Sequence, residues 1–109
     1  MYGRSLGVRG ARDVRILRTI PAKGGWRAVY AVRGENARAR IEEEPITLFA
    51  LCEDAEGNRF VSGVREDGEL CVARADFVGH FSVKQRRHKI QDAAESFVRA
   101  REQEKGNKI

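Results

Sequence analysis

Apolar and polar residues alternate along much of the first three quarters of the chain, a period of two that is typical of β-strands with one buried face. The alternation is clearest in residues 26–33, where Trp26 and Tyr30 fall on the same face and supply most of its apolar area. Residues 13–20 show a second strand pattern, and a turn-forming Lys-Gly-Gly sequence at 23–25 separates the two. We therefore predict that these two strands form a hairpin.

The segment 46–52 is apolar on both faces, which predicts a central strand of the sheet with cover on each side. Two further strands are expected at 59–65 and 69–74, because short turns that contain Asp and Gly separate all three segments. Three consecutive strands joined by tight turns predict an antiparallel meander. The aromatic segment 76–81 is then expected to be a connector, and the acidic run at 42–44 to lie on a solvated edge or in a loop.

After Ser82 the apolar spacing changes to three and four residues, which is the period of an amphipathic α-helix. Gly106 stands where a glycine commonly ends a helix. Two start signals compete, because two residue pairs fit a capping box, in which an N-cap oxygen is followed three residues later by a carboxylate or amide. These pairs are Ser82 with Gln85 and Asp92 with Glu95. We favour the earlier start, which gives a helix at about 83–105.

Together these patterns predict an α+β protein, in which a strongly curled antiparallel sheet or small open barrel of five to six strands is followed by one C-terminal amphipathic helix. The strands are expected within about 13–75. Residues 1–12, which contain three glycines and three arginines, are expected to form a mobile basic N-terminal arm. Residues 13–109 then form a single α+β domain, and a chain of 109 residues is long enough to bury one core.

Composition limits the class of protein. No apolar stretch approaches the about 20 residues needed to cross a bilayer, and residues 1–12 lack the apolar core of a secretory signal. The two cysteines, Cys52 and Cys71, lie in strand patterns without metal-binding spacing, which favours buried reduced thiols over a disulfide. We therefore expect a cytoplasmic protein that makes no membrane contact and needs no metal or cofactor.

The charge is distributed unevenly along the chain. The net charge is +5 over the whole sequence. Residues 1–40 carry ten Lys or Arg and two Asp or Glu, residues 41–80 carry three and ten, and residues 81–109 carry eight and four. If these segments stay apart in space, the surface is strongly dipolar. If they fold against one another, the acidic middle pairs with the basic ends and the asymmetry reflects surface ion pairs.

Candidate catalytic groups are few. His80 and His88 have no second ligand at a metal-binding spacing, although His80 could pair with Asp76 or, if the fold brings them together, with Cys71. No serine lies in a nucleophile elbow, and the glycines match neither a phosphate-binding loop nor a dinucleotide fingerprint. The sequence therefore favours a binding protein over an enzyme.

Two binding hypotheses remain. The favoured one is a protein-interaction module that self-associates, because small sheets with unpaired edges and an amphipathic helix commonly bury an edge or a helix face in a dimer. The alternative is a nucleic-acid-binding accessory protein, in which basic residues neutralise phosphates. The residues assigned to this anion or nucleic-acid surface are Arg4, Arg9, Arg12, Arg15, Arg27, Lys84, Arg86, Arg87 and Lys89. The alternative loses support if acidic residues 42–44 and 53–56 interleave with the strand arginines.

Overall fold

The structure is a computed structural model that describes residues 13–35 and 38–106. Its elements, in chain order, are β1 (Arg15–Pro21), β2 (Trp26–Arg33), β3 (Ala39–Pro45), β4 (Leu48–Glu53), β5 (Arg59–Gly63), a short 3-10 helix (Cys71–Ala73), β6 (Phe77–Ser82) and α1 (Arg87–Gly106). The predicted α+β class, with antiparallel strands followed by one C-terminal helix, is confirmed. The predicted basic arm at 1–12 lies outside the described residues.

The strands form two three-stranded antiparallel sheets. The strand order is β1-β4-β5 in sheet A and β3-β2-β6 in sheet B. The sheets are neither closed nor strongly curled, so the prediction of a curled sheet or small open barrel is wrong. The chain turns a corner at 22–25, where Gly25 has a positive φ of 105°, and this corner divides the strands between two sheets.

The predicted hairpin of β1 with β2 is also wrong, because β1 pairs with β4 and β2 pairs with β3. The two ladders meet at the corner, where the Ala22 N–H donates to the Thr47 carbonyl and the Ile46 N–H donates to the Trp26 carbonyl, each at 3.0 Å. One long bent hairpin, from β1 through β4, therefore runs through both sheets. The sequence pattern identifies the strands but not which strands are neighbours.

β2 lies at the centre of sheet B and is covered on both faces. On one face Ala28 and Tyr30 pack with Ile46. On the other face Ala31 packs against Ala94 of α1. Tyr30 is fully buried, as predicted for the inner face, whereas Trp26 at the start of the strand is 39% exposed.

β4 lies at the centre of sheet A, as predicted from its two apolar faces. Ala50 and Cys52 face a core that includes Val14 and Leu70. Leu51, on the opposite face, is only partly buried. The predicted cover is therefore complete on one side of the strand and incomplete on the other.

The predicted strand at 69–74 is wrong. Only Leu70 is bridged to Val64, and the chain then forms the 3-10 helix. Leu70 and Cys71 are adjacent in sequence and each is 1% exposed. Leu70 is still extended and packs with Val14, Ala50 and Cys52, whereas Cys71 begins the helical turn and packs with Tyr30 and Ile46.

The segment 76–81, predicted to be a connector, contains most of β6, which pairs with β2. The helix α1 begins at Arg87, between the two predicted starts, and ends at Gly106 as expected. Ser82 does not cap it. Instead its hydroxyl accepts a hydrogen bond from the Lys84 N–H at 3.1 Å, which holds the turn that precedes the helix.

Candidate functional site

Most of the strand arginines assigned to an anion-binding surface are paired with carboxylates. Arg15, Glu53 and Arg59 lie directly opposite one another on the three strands of sheet A. Arg15 is bonded to Glu53, and the Arg59 Nε lies 3.4 Å from the same carboxylate. The hydrogen bond from Arg15 holds the pKa of Glu53 below its usual range. Two guanidinium groups therefore share one carboxylate, which leaves this row with a net charge of +1.

Sheet B has a similar cluster around Glu43. The Arg27 guanidinium lies 2.7 Å from the Glu43 carboxylate, and Arg87 at the start of α1 bonds to its other oxygen. These bonds, that of Arg27 first, lower the pKa of Glu43. The structure thus brings Arg27 and Arg87 together, whereas Arg15 belongs to the separate cluster on sheet A.

Three of the other predicted cations, all described by the structure, have no such partner. Lys84, Arg86 and Lys89 are exposed, and within the described parts of the chain no carboxylate lies within 4.0 Å of their charged groups. Arg4, Arg9 and Arg12 lie outside the described residues. The acidic residues therefore interleave with the strand arginines, while the turn before α1 stays basic.

A surface that the sequence did not single out lies on sheet A, on the side opposite Ala50 and Cys52. We call this side the outer face. Its middle row consists of Arg18, Leu51 and Val61, which lie opposite one another on the three strands. Val61 is 52% exposed, and an aliphatic side chain thus stands open to solvent on a sheet whose other side is core.

The apolar surface continues beyond this row toward the corner. Ile20 lies opposite Phe49 and is 50% exposed. The Phe49 ring packs edge-on against Trp26, with ring centroids 6.0 Å apart. We call the contiguous set of exposed or partly exposed apolar residues the outer patch. Its members are Ile20, Trp26, Phe49, Leu51 and Val61.

Arg18 borders the outer patch and differs from the other arginines of sheet A. It is exposed and lies opposite Leu51. No carboxylate of the described residues lies within 4.0 Å of its guanidinium, and the sequence of 1–12 contains no Asp or Glu. With Arg15, Arg59 and Glu53, the outer face carries three guanidinium groups and one carboxylate, a net charge of +2.

His80 connects the two sheets beneath the outer patch. Its Nε2 accepts a hydrogen bond from the Gly63 N–H at 3.0 Å, so this nitrogen carries no proton. Its ring packs against Phe49 at 5.5 Å and Phe77 at 4.9 Å between centroids. Burial lowers the pKa of His80. The suggested pairing with Asp76 is wrong, because that carboxylate accepts two hydrogen bonds from Arg74.

A partly buried polar network lies beside sheet B, and no pattern of residues in the sequence indicates it. The Tyr30 hydroxyl donates to Glu44 at 2.7 Å, and the Arg65 Nε donates to the same carboxylate at 3.1 Å. The Arg74 guanidinium lies over the Tyr30 ring, 3.9 Å from its centroid. Burial raises the pKa of Tyr30, so the phenol stays protonated. Every charge here has an internal partner, which indicates a structural role.

A groove of about 600 Å³ lies between β2 and the C-terminal half of α1. Ala31, Val32 and Phe97 form its apolar part. Its charged residues are paired: Arg33 lies 2.9 Å from Glu102, and Arg101 donates to the Ala75 carbonyl at 2.9 Å. The charges of Arg33 and Glu102 therefore neutralise each other at the groove.

The thiols and the metal-ligating residues form no reactive cluster among the residues that the structure describes. Cys52 and Cys71 are buried free thiols, and burial raises the pKa of each. In residues 13–35 and 38–106, no three His, Cys, Asp or Glu side chains are placed to hold a metal ion. Over the same residues, no helix combines the length and the apolar sequence that a bilayer crossing requires.

Comparison with protein families, with curated proteins and with solved structures finds no match to this chain. The outer patch was not predicted from the sequence, because residues 46–52 are apolar on both faces and were expected to be covered on both sides. The apolar residues Ile20, Leu51 and Val61 are visible in the sequence, but only the strand order shows that their strands are neighbours.

Proposed function

We propose that this chain is a small non-enzymatic protein-interaction module that docks another protein on the outer patch. The observation that supports the proposal is the exposure of Ile20 and Val61, at 50% and 52%, in the edge strands of a sheet whose central strand bears Leu51. The sheet holds these side chains in fixed positions. A preformed apolar surface costs little ordering entropy on binding.

The apolar residues supply a modest driving force. Complete burial of an exposed Val or Ile side chain is worth about 1.5–3 kcal/mol, so covering the exposed half of Ile20 or Val61 contributes about 1 kcal/mol each. Trp26 is 39% exposed and adds a large aromatic surface beside them. We therefore expect a reversible complex in which this patch forms the centre and charged groups form the rim.

The net charge of +2 on the outer face favours a protein partner that presents carboxylates around its own apolar residues. Such a partner neutralises the excess of Arg15, Arg18 and Arg59 over Glu53. Charge complementarity of this kind raises the association rate and excludes partners of the same sign. The occupant we propose is thus an apolar, acidic segment of a protein.

Self-association, which the sequence pattern favours, stays a prediction. Its test is the mass of the protein in dilute solution, which exceeds 12.3 kDa if copies associate. Two outer faces brought together place like charges opposite each other, so any dimer formed through this face is expected to require salt. A monomer at low and high salt would contradict self-association and leave the docking proposal intact.

Nucleic-acid binding stays the second candidate because Lys84, Arg86 and Lys89 are exposed beside the Arg27–Arg87 pair. The pairing of the strand arginines with Glu43 and Glu53 counts against it, since these cations are already engaged. A fluorescein-labelled oligo(dT) strand tests it directly. Binding that weakens steeply with salt would support this candidate, and no binding at low salt would contradict it.

The docking proposal is tested with a phage-displayed library of random peptides selected against the full chain. We expect enriched peptides that bind the wild type and fail to bind Val61→Glu. The matched control is Val32→Glu, which places the same charge at a residue that is 41% exposed on sheet B. Peptides that bind all three proteins equally, or an absence of enriched peptides, would refute the docking surface. Circular dichroism checks that both variants fold.

A further inference from the structure

Arg18 occupies a position at which docking changes its environment. It lies opposite Leu51, which in turn lies opposite Val61, so all three share the middle row of the outer face. A partner that covers Leu51 and Val61 also approaches Arg18, because directly opposed side chains in a sheet are about 4.5–5.5 Å apart at their Cβ atoms. The guanidinium then loses part of its contact with water.

A guanidinium that loses water must gain a partner, because an uncompensated buried charge is strongly unfavourable. The nearest carboxylate along the sheet, Glu53, is already bonded to Arg15 and Arg59. No other carboxylate of the described residues lies within 4.0 Å of Arg18. We therefore expect the negative group to come from the molecule that docks.

We infer that Arg18 is the specificity-determining residue of the outer patch and selects partner segments that place an Asp or Glu beside an apolar side chain. This inference rests on the proposed docking function and names the chemistry of its partner. A guanidinium can donate two parallel hydrogen bonds to a carboxylate, which fixes the orientation of the partner as well as its charge. The aliphatic residues supply affinity, and Arg18 decides which apolar segments bind.

The two other possible occupants fit this surface less well. A second copy brings a second Arg18 and a second +2 face, so its approach is opposed by charge. A nucleic acid can neutralise Arg18 through phosphate and can stack a base on Trp26, but Leu51 and Val61, which share the row of Arg18, are aliphatic and offer bases no aromatic face. A protein segment that carries both carboxylates and apolar side chains complements Arg18 as well as the apolar residues of the outer patch.

The test repeats the peptide selection on three proteins: the wild type, Arg18→Glu and Arg18→Lys. We expect peptides selected on the wild type to be enriched in Asp or Glu next to Leu, Ile, Val, Phe or Trp. Their affinity falls at least tenfold on Arg18→Glu and less on Arg18→Lys, which keeps the charge. Peptides selected on Arg18→Glu are expected to carry Lys or Arg instead. Arg18 is exposed, so each variant is expected to fold.

Each contrary result has a distinct meaning. The selected peptides could fail to bind Val61→Glu, contain no excess of acidic residues and bind Arg18→Glu as tightly as the wild type. This result would overturn the role of Arg18 and would leave the docking surface supported. Peptides indifferent to Val61→Glu overturn the docking surface itself. A dimer that Val61→Glu dissociates, or oligo(dT) binding that Arg18→Glu abolishes and Val61→Glu does not, overturns the inference in favour of a second copy or a nucleic acid.

Discussion

Gly63 tests the packing between the two sheets because it leaves no room for a side chain. A Cβ at this position would lie 3.0 Å from Cδ1 of Ile46, 3.1 Å from Sγ of Cys71 and 3.2 Å from Cγ1 of Ile46. These neighbours belong to the core between sheets, and Gly63 also donates its N–H to His80. Gly63→Ala therefore forces core side chains apart at the point where β5 meets sheet B.

The expected loss of stability follows from two opposing effects. Adding a methyl group to a well-packed core costs about 1–3 kcal/mol. Replacing Gly by Ala also lowers the entropy of the unfolded chain, which returns about 0.4–1 kcal/mol. The net prediction is a decrease of about 1–2 kcal/mol in the free energy of unfolding, or about 4–16 °C in Tm for a domain of this size. Gly24→Ala is the matched control, because nothing lies within 4 Å of a Cβ there.

Urea unfolding followed by the fluorescence of Trp26, the single tryptophan, measures the effect. We expect a lower midpoint for Gly63→Ala with an unchanged slope, and an equal or slightly higher midpoint for Gly24→Ala. Ile46→Val removes the methyl group nearest to the added Cβ. The double variant should therefore lose less stability than the sum of the losses of the two single variants. A midpoint for Gly63→Ala at or above that of the wild type would refute the reasoning about this contact.

Three further predictions concern the groups buried around this contact. Burial lowers the pKa of His80 from an unfolded value of about 6.5, so the unfolded chain binds more protons than the folded one. The unfolding free energy should therefore fall as the pH drops from about 6.5 through the folded-state pKa. Urea midpoints should show this fall for the wild type and for His88→Gln, but not for His80→Gln. Tyr30→Phe removes the hydrogen bond to Glu44 and should lower the unfolding free energy by about 1–2 kcal/mol, and an unchanged urea midpoint would contradict it. The thiols Cys52 and Cys71 should resist Ellman's reagent in native buffer and react in guanidinium, and rapid native reaction of either would contradict their burial.

The sequence predicts those strands whose apolar pattern is strong. Residues 26–33 are correctly predicted as a strand, and the prediction at 46–52 is correct for 48–52, because period-two burial is local information. β6 was missed because its middle is Gly79 and His80, which carry no apolar alternation, and because its pairing with β2 is a contact between distant parts of the chain. The division into two sheets was not predicted for the same reason, because the strand order depends on the paths of the loops, and residue patterns do not specify those paths.

The candidate site, too, could be predicted from the sequence only in part. The arginines could be found from the sequence, but whether each one has a partner depends on register. Arg15 and Arg18 stand three residues apart on one strand, yet only Arg15 lies opposite a carboxylate. The bulge between Ile16 and Arg18 shifts the register by one residue and so places Arg18 opposite Leu51 instead of Ala50. No pattern of residue types predicts that Arg18 faces Leu51.

The edge strands explain why docking is expected on the outer face and not along the margin of sheet B. β3 is an edge of that sheet in the described residues and contains the acidic run and Pro45. Strand alternation sends Glu43 to the side of Arg27 and Arg87, while Glu42 and Glu44 bond to Arg74 and Arg65. An edge with three carboxylates and a proline is a poor template for a further strand. The carboxylates of β3 are therefore paired within the domain, whereas among the described residues Arg18 has no carboxylate within 4.0 Å, and this difference is why we propose docking on the outer face.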